Sequence, residues 1–225
     1  MVRNVNARSD DRRAKQVAVT EQRLVTSATR LFLRDGYVGT TLTAVTADAG
    51  VAPRTLYLRF PTKTDLFRRV MDVAVVGDTA RVSVADRDWA RRTLTAPTLD
   101  ERMLLAARGA RDIMARIGPL LPVAEAAAAV EPAIASAASA ARDATRDQIR
   151  LFWTTAAGDG LLPDHVDHQW LADTAALLGS ADTFLLGTRI LRWTPDDFER
   201  WLLTTWRAML GVPEATQHLT DRASD

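Results

Sequence analysis

Cysteine is absent from this 225-residue chain, which excludes disulfides, thiolate metal sites and cysteine nucleophiles. Histidine, at three residues, and tyrosine, at two, are scarce. No segment reaches the roughly 18 uninterrupted apolar residues needed to span a bilayer. No apolar stretch follows the N-terminal Arg3, Arg8, Arg12, Arg13 and Lys15, so that end does not read as a secretory signal. A P-loop, a dinucleotide fingerprint and a nucleophile elbow are also missing. These absences argue against a familiar enzyme and against a membrane partner. They leave a cytoplasmic, non-enzymatic protein with no cofactor as the expectation.

What is present favours helix. Ala, Leu and Arg are abundant, β-branched runs are short, and 47% of the residues are hydrophobic. An all-α fold of about nine helices is expected. The net charge of +1 hides an asymmetry. Residues 1–70 carry 13 Lys and Arg against 6 Asp and Glu, whereas the remaining chain carries 16 against 22. A basic end joined to an acidic body places any polyanion at the N-terminal end, although a disordered basic tail would give the same count.

Three segments follow from the pattern: a flexible basic arm at 1–20, a helix-turn-helix DNA-binding domain at 21–70, and a helical body at 71–225. Leu24, Ala28, Leu31 and Phe32 fall on one helical face, and Gly36 stands where a left-handed residue would end that helix. Thr40 or Thr41 caps a second helix with Leu42, Val45 and Ala49 inward. After Gly50 and Val51, Pro53 opens a short helix anchored by Leu56 and Phe60. Pro61 breaks the chain, and Thr62 caps a fourth helix holding Lys63, Leu66, Phe67 and Val70. Two short helices around a Gly-centred turn form a helix-turn-helix, whose second helix enters the major groove.

That short helix offers Arg54, Thr55, Leu58 and Arg59 on its outer face. Arg can fork onto guanine, while Thr or Leu can meet a thymine methyl. Thr41, Thr43 and Lys63 are placed to hold phosphates. A capping Thr can equally be only a cap, and Tyr57 can be only a core residue.

The run Phe32-x3-Gly36-Tyr37-x2-Thr40-Thr41 resembles the first helix of the TetR family and its exit. It continues as Ala49-Gly50-Val51-Ala52-x2-Thr55-Leu56-Tyr57-x2-Phe60-Pro61-x-Lys63-x2-Leu66, which is similar to that family's recognition segment. The resemblance covers residues 21–70 and implies a transcriptional regulator, most often a repressor that a small molecule releases. It implies that Thr41, Tyr57 and Lys63 touch the DNA backbone and that Pro53 opens the recognition helix. Thr46 departs from the usual small Ala, and a bond to an upstream carbonyl would accommodate it. Leu58 and Arg59 replace commoner aromatic or His choices and imply an unusual operator preference.

The body reads as further helices. Residues 86–97 form a loop or short helix, Thr98 caps a helix to about Ile117, and Leu120 to Val130 is a short Ala-rich segment. Longer helices follow at 132–157, 164–190 and 195–210, with Thr194-Pro195 as the last start signal. The Ala-rich stretch from Ala124 to Ala144 reads as closely packed helix. Apolar residues on more than one side of the last two helices ask for a homodimer partner, through Leu177, Ala181, Phe184, Leu185, Leu202 and Trp206. Two copies would read a palindromic double-stranded operator. The family resemblance further implies an effector pocket, with Met103, Ala107, Met114, Phe152, Trp153 and Trp170 as candidates. Ordinary core packing explains each of these as well.

Two other classes stay open. His165 and His168 lie three apart beside Asp164 and Asp167, a spacing open to a metal but equally natural at a polar helix start, and no metal site is assigned. A helical small-molecule-binding or interaction protein without DNA binding would be indifferent to loss of Arg54 or Lys63.

Overall fold

The computed structural model describes residues 3–80 and 84–211, with side chains from residue 16 onward. Within them every regular element is helical. The α-helices are α1 (Arg3–Gly39), α2 (Leu42–Ala49), α3 (Pro53–Tyr57), α4 (Lys63–Val76), α5 (Asp88–Thr95), α6 (Leu99–Ile117), α7 (Leu121–Ala128), α8 (Pro132–Gly158), α9 (His168–Leu178), α10 (Ala181–Leu191) and α11 (Pro195–Met209). A 3-10 turn at Gly118–Leu120 joins α6 to α7. None of the described helices is long and apolar enough to cross a membrane.

The described helices outnumber the expected nine for local reasons. Both short segments, at 86–97 and 120–130, form helices. The expected helix at 164–190 is divided by Gly179 and Ser180. Ser180 Oγ accepts the Thr183 N–H at 3.1 Å, and the Thr183 hydroxyl donates to the Leu177 carbonyl at 2.8 Å. Side chains here take over bonds that a continuous helix would make through its backbone. The start also moves inward, because Asp167 caps α9 by accepting from Gln169 N at 2.9 Å and Trp170 N at 3.0 Å.

The flexible-arm expectation for residues 1–20 needs correction, since α1 runs from Arg3; Met1 and Val2 lie outside the described residues. The stretch has neither Gly nor Pro, and extending an established helix costs little. Gln16 to Val19 are exposed, which is why no apolar pattern marks them. The regular helix breaks at Gly36, whose φ of 70° and ψ of 177° suit only glycine without strain. The expected stop is therefore real, and one further turn continues beyond it.

The chain forms two compact units. One comprises Met1–Val84 with Ala115–Ala141, and the other Ala85–Met114 with Arg142–Asp225. The first unit therefore contains more than the 21–70 segment. Its core joins Leu24, Ala28 and Phe32 of α1 to Val45, Leu56, Leu66 and Phe67, and also to Leu120, Ala127 and Ile134. Arg116 fastens this addition to α4, donating from Nε to the Ala74 carbonyl and from Nη2 to the Val75 carbonyl, both at 2.8 Å. The Ala-rich stretch packs closely only in part: Ala127 is buried, while Ala135, Ala140 and Ala141 are exposed.

The second unit is built on Met103, Ala107, Trp153, Leu171, Phe184, Phe198, Leu202 and Trp206, all buried. The α11 start is a capping box, in which Thr194 Oγ1 accepts from Asp197 N and the Asp197 carboxylate accepts from Thr194 N. The Thr194 hydroxyl, which donates to the Asp197 carboxylate at 2.6 Å, and after it the Thr194 N–H hold that carboxyl below the usual carboxylate range.

Candidate nucleic-acid interface

The helix-turn-helix is set by short-range signals. Thr41 caps α2 with its hydroxyl, accepting from Ala44 N at 3.1 Å. Buried Thr46 donates to the Thr43 carbonyl at 2.8 Å, the upstream bond that lets a hydroxyl sit in this interior. Gly50 turns left-handed at φ 61° and ψ 41°, and the Val51 N–H closes the helix end on the Thr46 carbonyl at 3.1 Å. Pro53 occupies the first turn of α3, and Leu56 and Phe60 drive that helix into the core.

Long-range polar contacts then fix the motif's orientation. Glu21, buried on the inward side of α1, accepts from Arg59 at 3.0 Å and from Arg69 at 2.7 Å. Arg69 also donates to the Thr79 carbonyl at 2.7 Å. Arg23 reaches the Gly50 carbonyl at the turn at 3.3 Å, and Arg30 pairs with Asp48 of α2. The Arg30 bond, helped by Ser27, holds the Asp48 carboxyl below its ordinary range. Sequence reasoning missed this framework. Its visible signal was Glu21 itself, an acid three residues before Leu24 on the apolar stripe.

The exit of α1 is braced in the same way. Buried Tyr37 packs edge-on against Phe67, with ring centroids 5.4 Å apart, and its hydroxyl meets Thr64 at 3.0 Å. Lys63 lies over the Tyr37 ring at 4.4 Å. Its ammonium donates to the carbonyls of Tyr37 at 2.8 Å, Val38 at 3.3 Å and Thr40 at 3.1 Å. An ammonium has three donors, so all are in use within the protein.

The nine sequence candidates therefore separate into groups. Arg54, Tyr57 and Leu58 share an exposed surface on and just beyond α3, with Pro53 at its start, and Thr55 is half-buried beside them. Leu58 is 77% exposed and adjoins the half-exposed Tyr57, so the two put apolar surface beside Arg54. The Arg54 side chain has no hydrogen-bond or ion-pair partner among the described residues. Thr41 and Thr43 are exposed at the start of α2. Arg59 is turned to Glu21 and Lys63 to the end of α1, so neither joins the free surface in this conformation.

The body candidates divide as well. Met103, Ala107, Met114, Phe152 and Trp153 are buried, but Trp170 is 53% exposed on α9 and lines no interior. Of the dimer candidates only Leu177 presents a large exposed apolar side chain. Phe184, Leu185, Leu202 and Trp206 are buried within the unit and Ala181 is half-buried. The exposed apolar residues here are Leu177 of α9 with Leu186, Ile190 and Leu191 of α10. Among the described residues no group of His, Asp and Glu is arranged to hold a metal.

Residues 24–70 match the family model described as bacterial regulatory proteins, tetR family. No curated protein matches the chain. Among solved structures, a protein from Mesorhizobium loti described as a TetR-family transcriptional regulator is similar at a TM-score of 0.67 and 20% identity, covering 87% of this chain and 97% of that one. A second so described, from Syntrophomonas wolfei, gives 0.66 at 16% identity, with 88% and 98% covered. The transcriptional regulator FadR from Bacillus subtilis, solved in complex with stearoyl-CoA, gives 0.59 at 13% identity, with 86% and 99% covered.

Proposed function

Because this chain carries the DNA-binding segment and the fold of TetR-family transcriptional regulators, we propose that it is a cytoplasmic repressor that binds a palindromic double-stranded operator as a homodimer. The observation that carries this reading is Arg54, its side chain without a partner among the described residues, beside exposed Tyr57 and Leu58 on and just beyond a short helix held rigid from behind. Arg54 reads a base edge, and Leu58 with Thr55 supplies apolar contact to a thymine methyl. Pro53, Tyr57, Thr41 and Thr43 contact the backbone. Arg59 and Lys63 act from behind, holding the surface in register.

One such helix reads few base pairs, so two copies spaced by about one DNA turn, roughly 34 Å, are required. Leu177, Leu186, Ile190 and Leu191 are the apolar surface on which a second copy would close. A small molecule that favours a different conformation of the acidic body releases the DNA by shifting the population. A relative of this fold holding stearoyl-CoA supports a ligand-receiving body.

The test is binding of the purified protein to DNA flanking its own gene, at physiological salt with excess competitor, beside selection from random sequence. A dimer that binds one palindrome tightly and resists competitor is the expected result. Enrichment of no sequence would overturn the reading and leave a helical interaction protein in its place.

A further inference from the structure

The second unit contains polar atoms that its fold does not account for. Trp153 Nε1 and Trp206 Nε1 are buried and have no hydrogen-bond partner among the described residues. Both indoles belong to one aromatic cluster. Their ring centroids lie 5.8 Å apart at 85°, and Phe152 meets Trp153 edge-on at 4.9 Å. An edge-on pair can turn one N–H towards a ring face, a weak contact at best. The other N–H then has no partner at all. Buried indole donors ordinarily find an acceptor.

A third such donor lies on the same set of helices. Arg102 of α6 is 5% exposed. It donates from Nε to the Ala96 carbonyl at 2.7 Å and pairs through Nη2 with Asp159, at the end of α8, also at 2.7 Å. Its Nη1 is buried without a partner. Arg207, next to Trp206 in α11, pairs with Asp100 of α6 at 2.6 Å. These contacts tie α6, α8 and α11 together in pairs, and Arg102, Trp153 and Trp206 lie one on each of these helices.

We propose that this aromatic cluster is the effector-binding site and that it selects an uncharged, flat, largely apolar molecule bearing one or two acceptor oxygens. The inference rests on the effector-release reading above. The acceptors receive the Trp153 and Trp206 N–H groups, and the ring lies against Phe152 and Trp206, whose planes are within 26° of each other. The lack of charge follows from the surroundings. Among the described residues, Thr93 and Arg102 are the only buried polar residues of this unit, and Arg102 already has Asp159 as its counter-ion. An anion would meet no uncompensated positive charge, and its desolvation would go unrepaid. Met103 and Met114 of α6 are buried in the same unit, and the unbranched methionine side chain repacks readily.

The experiment follows the indole N–H resonances of the full chain by nuclear magnetic resonance, assigned through W153F and W206F, while coumarin is added. Naphthalene and naphthoate are compared at equal concentrations. Coumarin should move the Trp153 and Trp206 resonances downfield, with affinity about tenfold above that of naphthalene, which has the shape without the acceptors. No movement at millimolar coumarin would overturn the proposal, as would an equal response to naphthalene. An equal response to naphthoate would overturn the uncharged assignment. Contact of both N–H groups with a long-lived water that coumarin leaves in place would assign the donors to structural water instead. Operator affinity is measured separately. Movement of the two resonances without any change in operator affinity would keep the site and remove the release reading.

Discussion

The two units handle buried polarity in opposite ways. In the first, every buried side-chain donor and acceptor among the described residues is satisfied: Glu21 holds two arginines, and Lys63 has three carbonyls. In the second, Trp153, Trp206 and Arg102 each keep a buried donor without an acceptor among the described residues. A fully satisfied network fixes one geometry, and here it lies in the unit that carries the helix-turn-helix. Orphaned donors cost about 1–3 kcal/mol each and make the state that holds them easier to displace. The contrast separates a part built to stay from a part built to answer.

The first unit offers the strongest test of this contrast. Glu21→Gln leaves Arg59 and Arg69 without their charge partner and should lower stability by about 3 kcal/mol, read from urea unfolding. An unchanged midpoint would mean that the triad is only a surface pairing. Lys63→Met comes next, with a loss of about 2 kcal/mol from three charge-assisted bonds. Because the brace lies behind the motif, that variant should bind all DNA sequences more weakly in proportion to its instability. Arg54→Ala should do the reverse, leaving stability within about 0.5 kcal/mol while costing about 1–3 kcal/mol of operator affinity and relaxing base choice. If the two variants behaved alike, the division between brace and contact would fail.

The second unit should respond in the other direction. Trp206→Phe keeps a ring and removes an unsatisfied donor, so thermal stability should hold or rise by up to about 1 kcal/mol, unlike an ordinary core truncation. A fall of several kcal/mol would show that the N–H has a partner after all. At the α11 cap, Thr194→Ala should cost about 1 kcal/mol at neutral pH. The Asp197 carboxyl is held low in the folded protein, so its contribution is present above the unfolded carboxylate range and is lost as pH falls through the lower folded value. The difference between parent and variant should therefore narrow in acid, as unfolding series at several pH values would show.

Much of the motif was legible because its signals are local. Thr41, Gly50, Pro53 and Thr62 each act within a few residues of themselves, and the structure uses each as a cap, turn or helix start. What escaped acts across distance. Lys63 meets carbonyls some two dozen residues earlier, and Glu21 meets arginines 38 and 48 residues later. The body was read less well for a related reason. Apolar residues run through Gly179 and Ser180 without interruption, so periodicity joined two helices that side-chain capping divides. Phe184, Leu202 and Trp206 looked like faces awaiting a partner, yet they are covered within their own unit. Periodicity identifies a face that must be buried, but not what buries it.

Arg116 has a practical consequence for anyone who would transplant this helix-turn-helix. By sequence alone the motif is a contiguous piece that ends near residue 70, and the first stretch of its unit ends at 84. Yet α4 has its terminal carbonyls held by Arg116, and Leu120, Ala127 and Ile134 complete the hydrophobic cluster beneath it. A chimera joined at either of those points would leave part of its own foundation behind. The transferable module is two stretches of chain, and a graft must carry residues 115–141 along with the first.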